Sequence, residues 1–257
     1  MKESRLKTIG ECQLYQGDCF DILPKVASEA DAVISDPPYG ITMCDWDTVF
    51  SFDNFWDIVE NKTKQSANYV LFGCGKFTVD LINSKYRWFR YDMIWEKDKA
   101  TNFMNVNLQP LRKHEQILVF GRPGFAKKTT YNPQKTPGGR TGVRNNRGIL
   151  SSIYGNIKGS DSVSDGTRYP CSVLHFNKER SKTFIPTPSE HPTQKPLALM
   201  EWLVKTYTNE GDTVIDPFMG SGTTGMACAM HNRRFIGIER EKHYYETAVK
   251  RIEAAYQ

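Results

Sequence analysis

The stretch DAVISDPPYG, residues 31–40, closes an apolar run with a carboxylate, two prolines and an aromatic ring. Neither proline has an N–H to donate, both keep a carbonyl, and Pro38 forces an extended backbone on Pro37. The result is a stiff rim carrying the Asp36 carboxylate, the bare Pro37 carbonyl and the Tyr39 ring. A flat heterocycle with an exocyclic amine fits that rim. Its NH2 group would give one hydrogen to Asp36 and one to Pro37, with Tyr39 stacked on its face. Two fixed acceptors aim the nitrogen lone pair at an electrophile and stabilise positive charge developing on nitrogen. Asp36, Pro37, Pro38 and Tyr39 are the candidate catalytic residues, and Asp36 would take the leaving proton directly or through water. In isolation the same four residues also read as a strand cap and turn.

A second constellation lies near the other end, in VIDPFMGSGTTGMA, residues 214–227. The pattern predicts a strand delivering Asp216, a tight turn at Gly220 and Gly222, and a helix from near Thr223. A further strand, FIGIER, follows and brings up Glu239, an acid placed to accept from two ribose hydroxyls. Gly220 to Gly225 can be read as the dinucleotide pattern GxGxxG, so the glycines alone do not decide the ligand. Asp216 decides more: a carboxylate at a strand tip repels a pyrophosphate and suits a cationic, amine-bearing ligand. S-adenosylmethionine has a ribose, an α-amine and a sulfonium, and no phosphate. The plainer reading is a glycine-rich turn with Asp216 as a helix cap.

Stepping outward, the elements that would hold these residues alternate. QLYQGD, DAVISD, ANYVLFG, RWFRYDMIWEK and HEQILVFG read as strands, and FDNFWDIVENKTKQ, KFTVDLINSKY, TQKPLALMEWLVKTYT and EKHYYETAVKRIEAAYQ as helices. That alternation predicts an open, mostly parallel α/β sheet. With 257 residues and 39% hydrophobic content, the chain can build one sizeable core plus a small insertion. No run of 18 apolar residues predicts a membrane span, and no signal peptide is visible. Six scattered cysteines without a CxxC point to reduced thiols in a cytoplasmic protein.

The texture changes in the middle. From Gln116 to Ser160 there is no acid, against eight Lys or Arg, with frequent Gly and Pro. Low apolar content predicts an irregular insertion, either a solvated basic loop or a surface for a polyanion.

With DPPYG and DPFMGSGTT in one chain, the sequence resembles the amino-group DNA methyltransferases in their permuted, beta-class motif order. The resemblance spans nearly the whole chain and is weakest from Phe125 to about Thr167. It implies a Rossmann-like, seven-stranded mixed sheet with helices on both faces and a basic target-recognition insertion. Residues 1–121 would be the catalytic half, 122–168 the insertion and 169–257 the cofactor half of the same domain. Asp36, Pro37 and Tyr39 match the catalytic motif. Asp216, Phe218, Gly220 and Gly222 match the methionine-side cofactor loop, which leads into Thr223, and Glu239 matches the ribose acid. Asp18 in QGDC matches the acid near the cofactor adenine. HPTQKP, residues 191–196, brings Thr193 and Lys195 near the cofactor carboxylate. HEQILVF is similar to the strand that precedes the insertion.

The implied function is site-specific N6 methylation of adenine in duplex DNA, with S-adenosylmethionine as cofactor. Arg122, Lys127, Lys128, Lys135, Arg140, Arg144 and Arg147 would meet the DNA, neutralising phosphates and contacting base edges. Residues 102–112 would make a further loop facing DNA. Relatives often dimerise, so a homodimer and a cognate restriction endonuclease are implied partners, in a bacterial or phage setting. The competing readings are N4-cytosine methylation, for which SPPY is commoner than DPPY, and RNA or protein amide methylation, where NPPY is commoner. An inactive DNA-binding module would not need the intact motifs. A dehydrogenase would need a hydride-transfer acid that DPPY does not supply. The five histidines show no metal-ligand spacing.

Overall fold

In the computed structural model, residues 5–40, 50–146, 149–151, 155–157, 160–176 and 194–257 are described, and among them the side chains outside 144–162. Thr193, Arg147 and the side chain of Arg144 therefore lie outside the described set. The first half contains β1 (Arg5–Ile9), β2 (Cys12–Gln16), α1 (Cys19–Ile22), β3 (Ala30–Ser35), α2 (Phe52–Glu60), β4 (Thr63–Gly73), α3 (Lys76–Ser84), β5 (Phe89–Thr101) and β6 (Arg112–Phe120). Then come β7 (Thr136–Asn146), β8 (Ile149–Ser151), β9 (Gly155–Ile157), β10 (Ser160–Arg168) and β11 (Val173–His175). The chain closes with α4 (Leu197–Tyr207), β12 (Thr213–Asp216), α5 (Thr223–Met230), β13 (Arg234–Glu239) and α6 (Lys242–Ala255).

Two compact units result: Met1–Asn132 with Ser172–Gln257, and Pro133–Cys171. The larger holds a nine-stranded sheet in the order β1-β2-β13-β12-β3-β4-β6-β5-β11. The expected seven strands are all present; β1, which pairs with β2, and the short β11 beside β5 are the two additions. Only β1 and β6 run against the others in this sheet. The carboxyl ends of β2, β13, β12, β3, β4 and β5 consequently share one edge.

Alternation along the strands feeds two cores. Ala32 and Ile34 of β3, Val70 and Phe72 of β4, and Ile117 and Val119 of β6 pack with the residues buried by α4, α5 and α6. Val33, Tyr69, Leu71, Leu118 and Phe120 face the other way, toward α1, α2 and α3. Each side chain in these strands is thus assigned to a layer by its parity. From β3 the chain builds outward through α2 and β4, and from β12 it builds in the opposite direction through α5 and β13. The β3–β12 junction is therefore the topological switch point, where open α/β sheets bind ligands.

Two local expectations are corrected. The helix expected over 52–65 stops at Glu60, because Thr63 turns its hydroxyl to the Tyr69 hydroxyl at 2.6 Å and starts β4. The insertion, expected to be irregular, is a β-structure: β7 pairs with β10 over Thr136–Arg168, and β8 pairs with β9 between them. Arg122, Lys127 and Lys128 lie in the larger unit. No described helix is long and apolar enough to cross a membrane.

Candidate active site

At the switch point, β3 and β12 pair in parallel, with Val214 opposite Ala32 and Ile215 opposite Val33. One residue further, Ser35 Oγ donates to Asp216 Oδ1 at 2.6 Å. Ser35 is fully buried and Asp216 is 2% exposed, so this bond is made out of water. Asp216 also accepts from the Phe218 N–H at 3.1 Å and from Thr224 Oγ1 at 2.6 Å. Burial lifts its carboxyl to about 6, against the downward pull of these three donors. Through these three bonds Asp216 fastens the tip of β12 to β3 and to the first turn of α5.

Asp36 follows Ser35 and is partly exposed, above a buried Pro37. Its Oδ1 accepts from the Tyr39 hydroxyl at 2.5 Å, and the Tyr39 ring packs 4.9 Å from Phe77. Its Oδ2 accepts from the Lys195 ammonium. Lys195, expected near a cofactor carboxylate, is buried on two protein carboxylates: besides Asp36 it lies 3.1 Å from Glu115 Oε2, and 4.8 Å above the Phe72 ring. Lys97 takes the other Glu115 oxygen at 2.5 Å. Burial pushes the Asp36 carboxyl upward, and Lys195 pulls against it. Burial would lower Lys195, but Asp36 and Glu115 outweigh it and raise the ammonium above its ordinary value. Burial likewise opposes ionisation of Glu115, yet Lys195 and Lys97 hold its carboxyl down to about 2.

The neighbouring strand tips carry the remaining acids. Glu239 ends β13; its Oε2 accepts from the Gly220 N–H at 2.9 Å and its Oε1 from the Glu241 N–H at 2.7 Å. Burial lifts this carboxyl to about 7, against those two donors. The Glu239 carbonyl receives the Gly17 N–H at 2.9 Å, which brings Asp18 to the same corner. Asp18 caps α1 through the Phe20 N–H at 2.8 Å. Gly220 and Gly222 both have positive φ, 52° and 78°. At Gly222 a Cβ would stand 2.8 Å from the Ala248 Cβ, so this glycine serves the contact of α5 with α6 as well as the turn. Thr223 is buried under it, and Phe218 is half-buried against Phe50 and Phe55.

The basic residues separate into different roles. Arg122 donates to the Glu60 carbonyl at 2.7 Å and lies 5.3 Å over Trp88, a structural placement. Lys127 and Lys128 are exposed. Within the smaller unit, Arg140 is exposed and Lys135 pairs with Asp165 at 3.4 Å. Between β5 and β6, on the carboxyl edge, a short loop presents Phe103, Met104, Val106 and Leu108 to solvent, with Met104 96% and Leu108 85% exposed.

Several working residues escaped the sequence reading. Glu115 and Lys97 continue the parity of Ile117 and Val119 and of Met93 and Trp95, so charges at those positions of inward faces were the available signal. Ser35 and Thr224 carry no signal beyond polarity. Arg251 of α6 donates to the Ser221 carbonyl at 2.6 Å and to Thr223 Oγ1 at 3.1 Å, clamping the glycine loop from outside it.

A switch-point crevice with acid-tipped β12 and β13 on one side and Asp-Pro-Pro-Tyr on the other defines an α/β methyltransferase. The chain matches the DNA methylase family N6_N4_Mtase over residues 30–250 and belongs to it. It is 28% identical to the type II methyltransferase M2.DpnII of Streptococcus pneumoniae, over 94% of this chain and 89% of that relative. It is 26% identical to the type II methyltransferase M2.LlaDCHI of Lactococcus lactis subsp. cremoris, over 93% of this chain and 88% of that relative. Among solved structures it is similar to the M1.HpyAVI–SAM complex, with a TM-score of 0.62 and 27% identity over 93% of this chain and 99% of that one. The cytosine-N4-specific PvuII DNA methyltransferase shares the fold, with a TM-score of 0.67 at 16% identity, over 97% of this chain and 92% of that one.

Proposed function

We propose that this DNA methylase transfers the methyl group of S-adenosylmethionine to the N6 amine of an adenine turned out of duplex DNA. The observation that carries the reading is the Ser35–Asp216 bond, which ties the residue before Asp36 to the loop at the tip of β12. Acceptor rim and cofactor loop thereby meet at one strand junction, as an in-line transfer requires.

The residues at the tips of β12 and β13 suit this cofactor. Among the described residues each Glu239 oxygen receives one backbone N–H, which leaves lone pairs for two ribose hydroxyls, and burial raises the carboxyl against those two donors. Asp18 stands at the same corner for the adenine amine, and Phe218 and Gly220 border the methionine side. When bound, S-adenosylmethionine supplies an electrophilic methyl group. Asp36 and the Pro37 carbonyl then hold the hydrogens of the target amine and turn its lone pair toward that methyl. Asp36 accepts the proton that the methylated nitrogen sheds. Aspartate rather than serine at position 36 supports adenine over cytosine. The exposed lysines Lys127 and Lys128, the basic hairpin and the apolar 103–108 loop are the surfaces for DNA.

The test is incubation of unmethylated genomic DNA with isotope-labelled S-adenosylmethionine, then hydrolysis to nucleosides and mass spectrometry. Label in N6-methyladenine, lost in Asp36→Ala, is the expected outcome. Label in N4-methylcytosine would keep the mechanism and overturn the target base.

A further inference from the structure

Asp36 has two oxygens, and each already has a partner: the Tyr39 hydroxyl on Oδ1 and the Lys195 ammonium on Oδ2. A target amine that donates to this carboxylate competes with one of them. The two partners differ in where they can go. No described contact offers the Tyr39 hydroxyl a second acceptor, whereas Lys195 has one. Glu115 Oε2 is buried and lies 3.1 Å from the ammonium, within reach of the same lysine. Lys97 holds only the other Glu115 oxygen. A small rotation at the end of the lysine side chain would align its N–H with Glu115 Oε2 and release Asp36 Oδ2, and the charge would remain over the Phe72 ring.

We infer that Lys195 is a displaceable cap on Asp36: it holds the carboxylate ionised and aimed, then shifts onto Glu115 when the target amine arrives. Lys195 is thus a positioning residue, and Glu115 is the seat that receives it. The exchange conserves charge, since one ammonium stays among the same two carboxylates throughout, and no proton changes hands in it. It also makes Asp36 selective. A group that cannot donate a hydrogen to Oδ2 has nothing with which to replace the lysine, so an amine is admitted and a keto oxygen in its place is refused. This inference rests on Asp36 receiving the target amine.

The test uses the full-length protein with the same labelled-nucleoside assay, run from acid to neutral pH, with cofactor affinity measured separately by calorimetry. Methylation by the wild type establishes the underlying reading; a wild type that labels no DNA would fail that reading and not this one. Lys195→Met should move the acid limb of the turnover profile upward by at least about one pH unit, the usual effect of removing a cation in contact with a carboxylate. Lys195→Arg should bring the limb back while turnover stays low, because the larger fork cannot make the same short shift. Glu115→Gln should cut kcat about tenfold or more, with cofactor affinity unchanged, because the seat for the displaced lysine has lost its charge. If Lys195→Met does not fold, the arginine and glutamine variants still decide the matter. An unmoved acid limb in a folded Lys195→Met protein would overturn the inference, as would full turnover in Glu115→Gln.

Discussion

Replacing Ser35 with alanine removes one oxygen atom from the β3–β12 junction and leaves the strand pairing in place. The lost bond runs to a carboxylate that is almost completely buried. A hydrogen bond to an ionised group contributes about 1.5–3 kcal/mol, and one to a neutral group about 1 kcal/mol. Which figure applies depends on pH. The folded Asp216 carboxyl titrates at about 6, above its ordinary 3.8, so the folded chain holds that proton more tightly than the unfolded one. The stability this group contributes is complete below 3.8 and is lost as pH rises through 6. Without the Ser35 hydroxyl the folded value climbs further, and the loss extends to higher pH. Urea unfolding should therefore give a gap between wild type and Ser35→Ala of about 2 kcal/mol at pH 8 and about 1 kcal/mol at pH 5. A gap that is the same at both pH values, or one below about 0.5 kcal/mol at pH 8, would refute the claim that this bond locks the junction.

Gly222→Ala should cost at least about 2 kcal/mol in denaturant unfolding, since it combines a positive φ with a 2.8 Å clash against Ala248, and it should weaken calorimetric cofactor binding. A fully stable, cofactor-binding variant would show that the contact of α5 with α6 relaxes easily. Arg251→Met frees the Ser221 carbonyl and the Thr223 hydroxyl, and should reduce cofactor affinity about tenfold while leaving DNA retention on a filter unchanged. Equal cofactor affinity in the two proteins would remove Arg251 from the loop's support. Serine at Phe103, Met104 and Leu108 together should leave the melting temperature within about 2 °C and weaken DNA binding severalfold, with the salt slope unchanged because no charge is lost. Wild-type DNA affinity in that variant would mean the loop faces something else.

The strands and the acids at their carboxyl ends were legible because each leaves a local trace. Apolar alternation marks the strands, and a carboxylate after such a run marks an active edge. What escaped was set by distance in sequence. The resemblance set Lys195 near the cofactor carboxylate, but its contact with Asp36 has no local trace, because only the fold bridges the 159 positions between them. Glu115 looked like part of a strand because its importance depends on which residue faces it across the sheet. The β7–β10 hairpin was missed for the opposite reason: it has Gly, Ser, Thr and Asn where a strand detector expects apolar residues. Its register is carried by backbone bonds, with a bulge between Asp165 and Thr167, and burial adds little at its exposed positions.

The strand order has a consequence for how the protein is made. β2 is synthesised well before β12 and β13, yet the strand beside its inner edge in the finished sheet is the much later β13. The gap between β2 and β3 is filled by β13 and β12, which are translated long after both. At roughly 5–20 residues per second, both edges bordering that gap stay unpaired for some tens of seconds. The switch-point seam is thus the last of this sheet to close. A nascent chain carries the Asp36–Tyr39 rim early, and β12 and β13 slot in beside it only much later. Chaperones that guard open strand edges have their longest window at this seam.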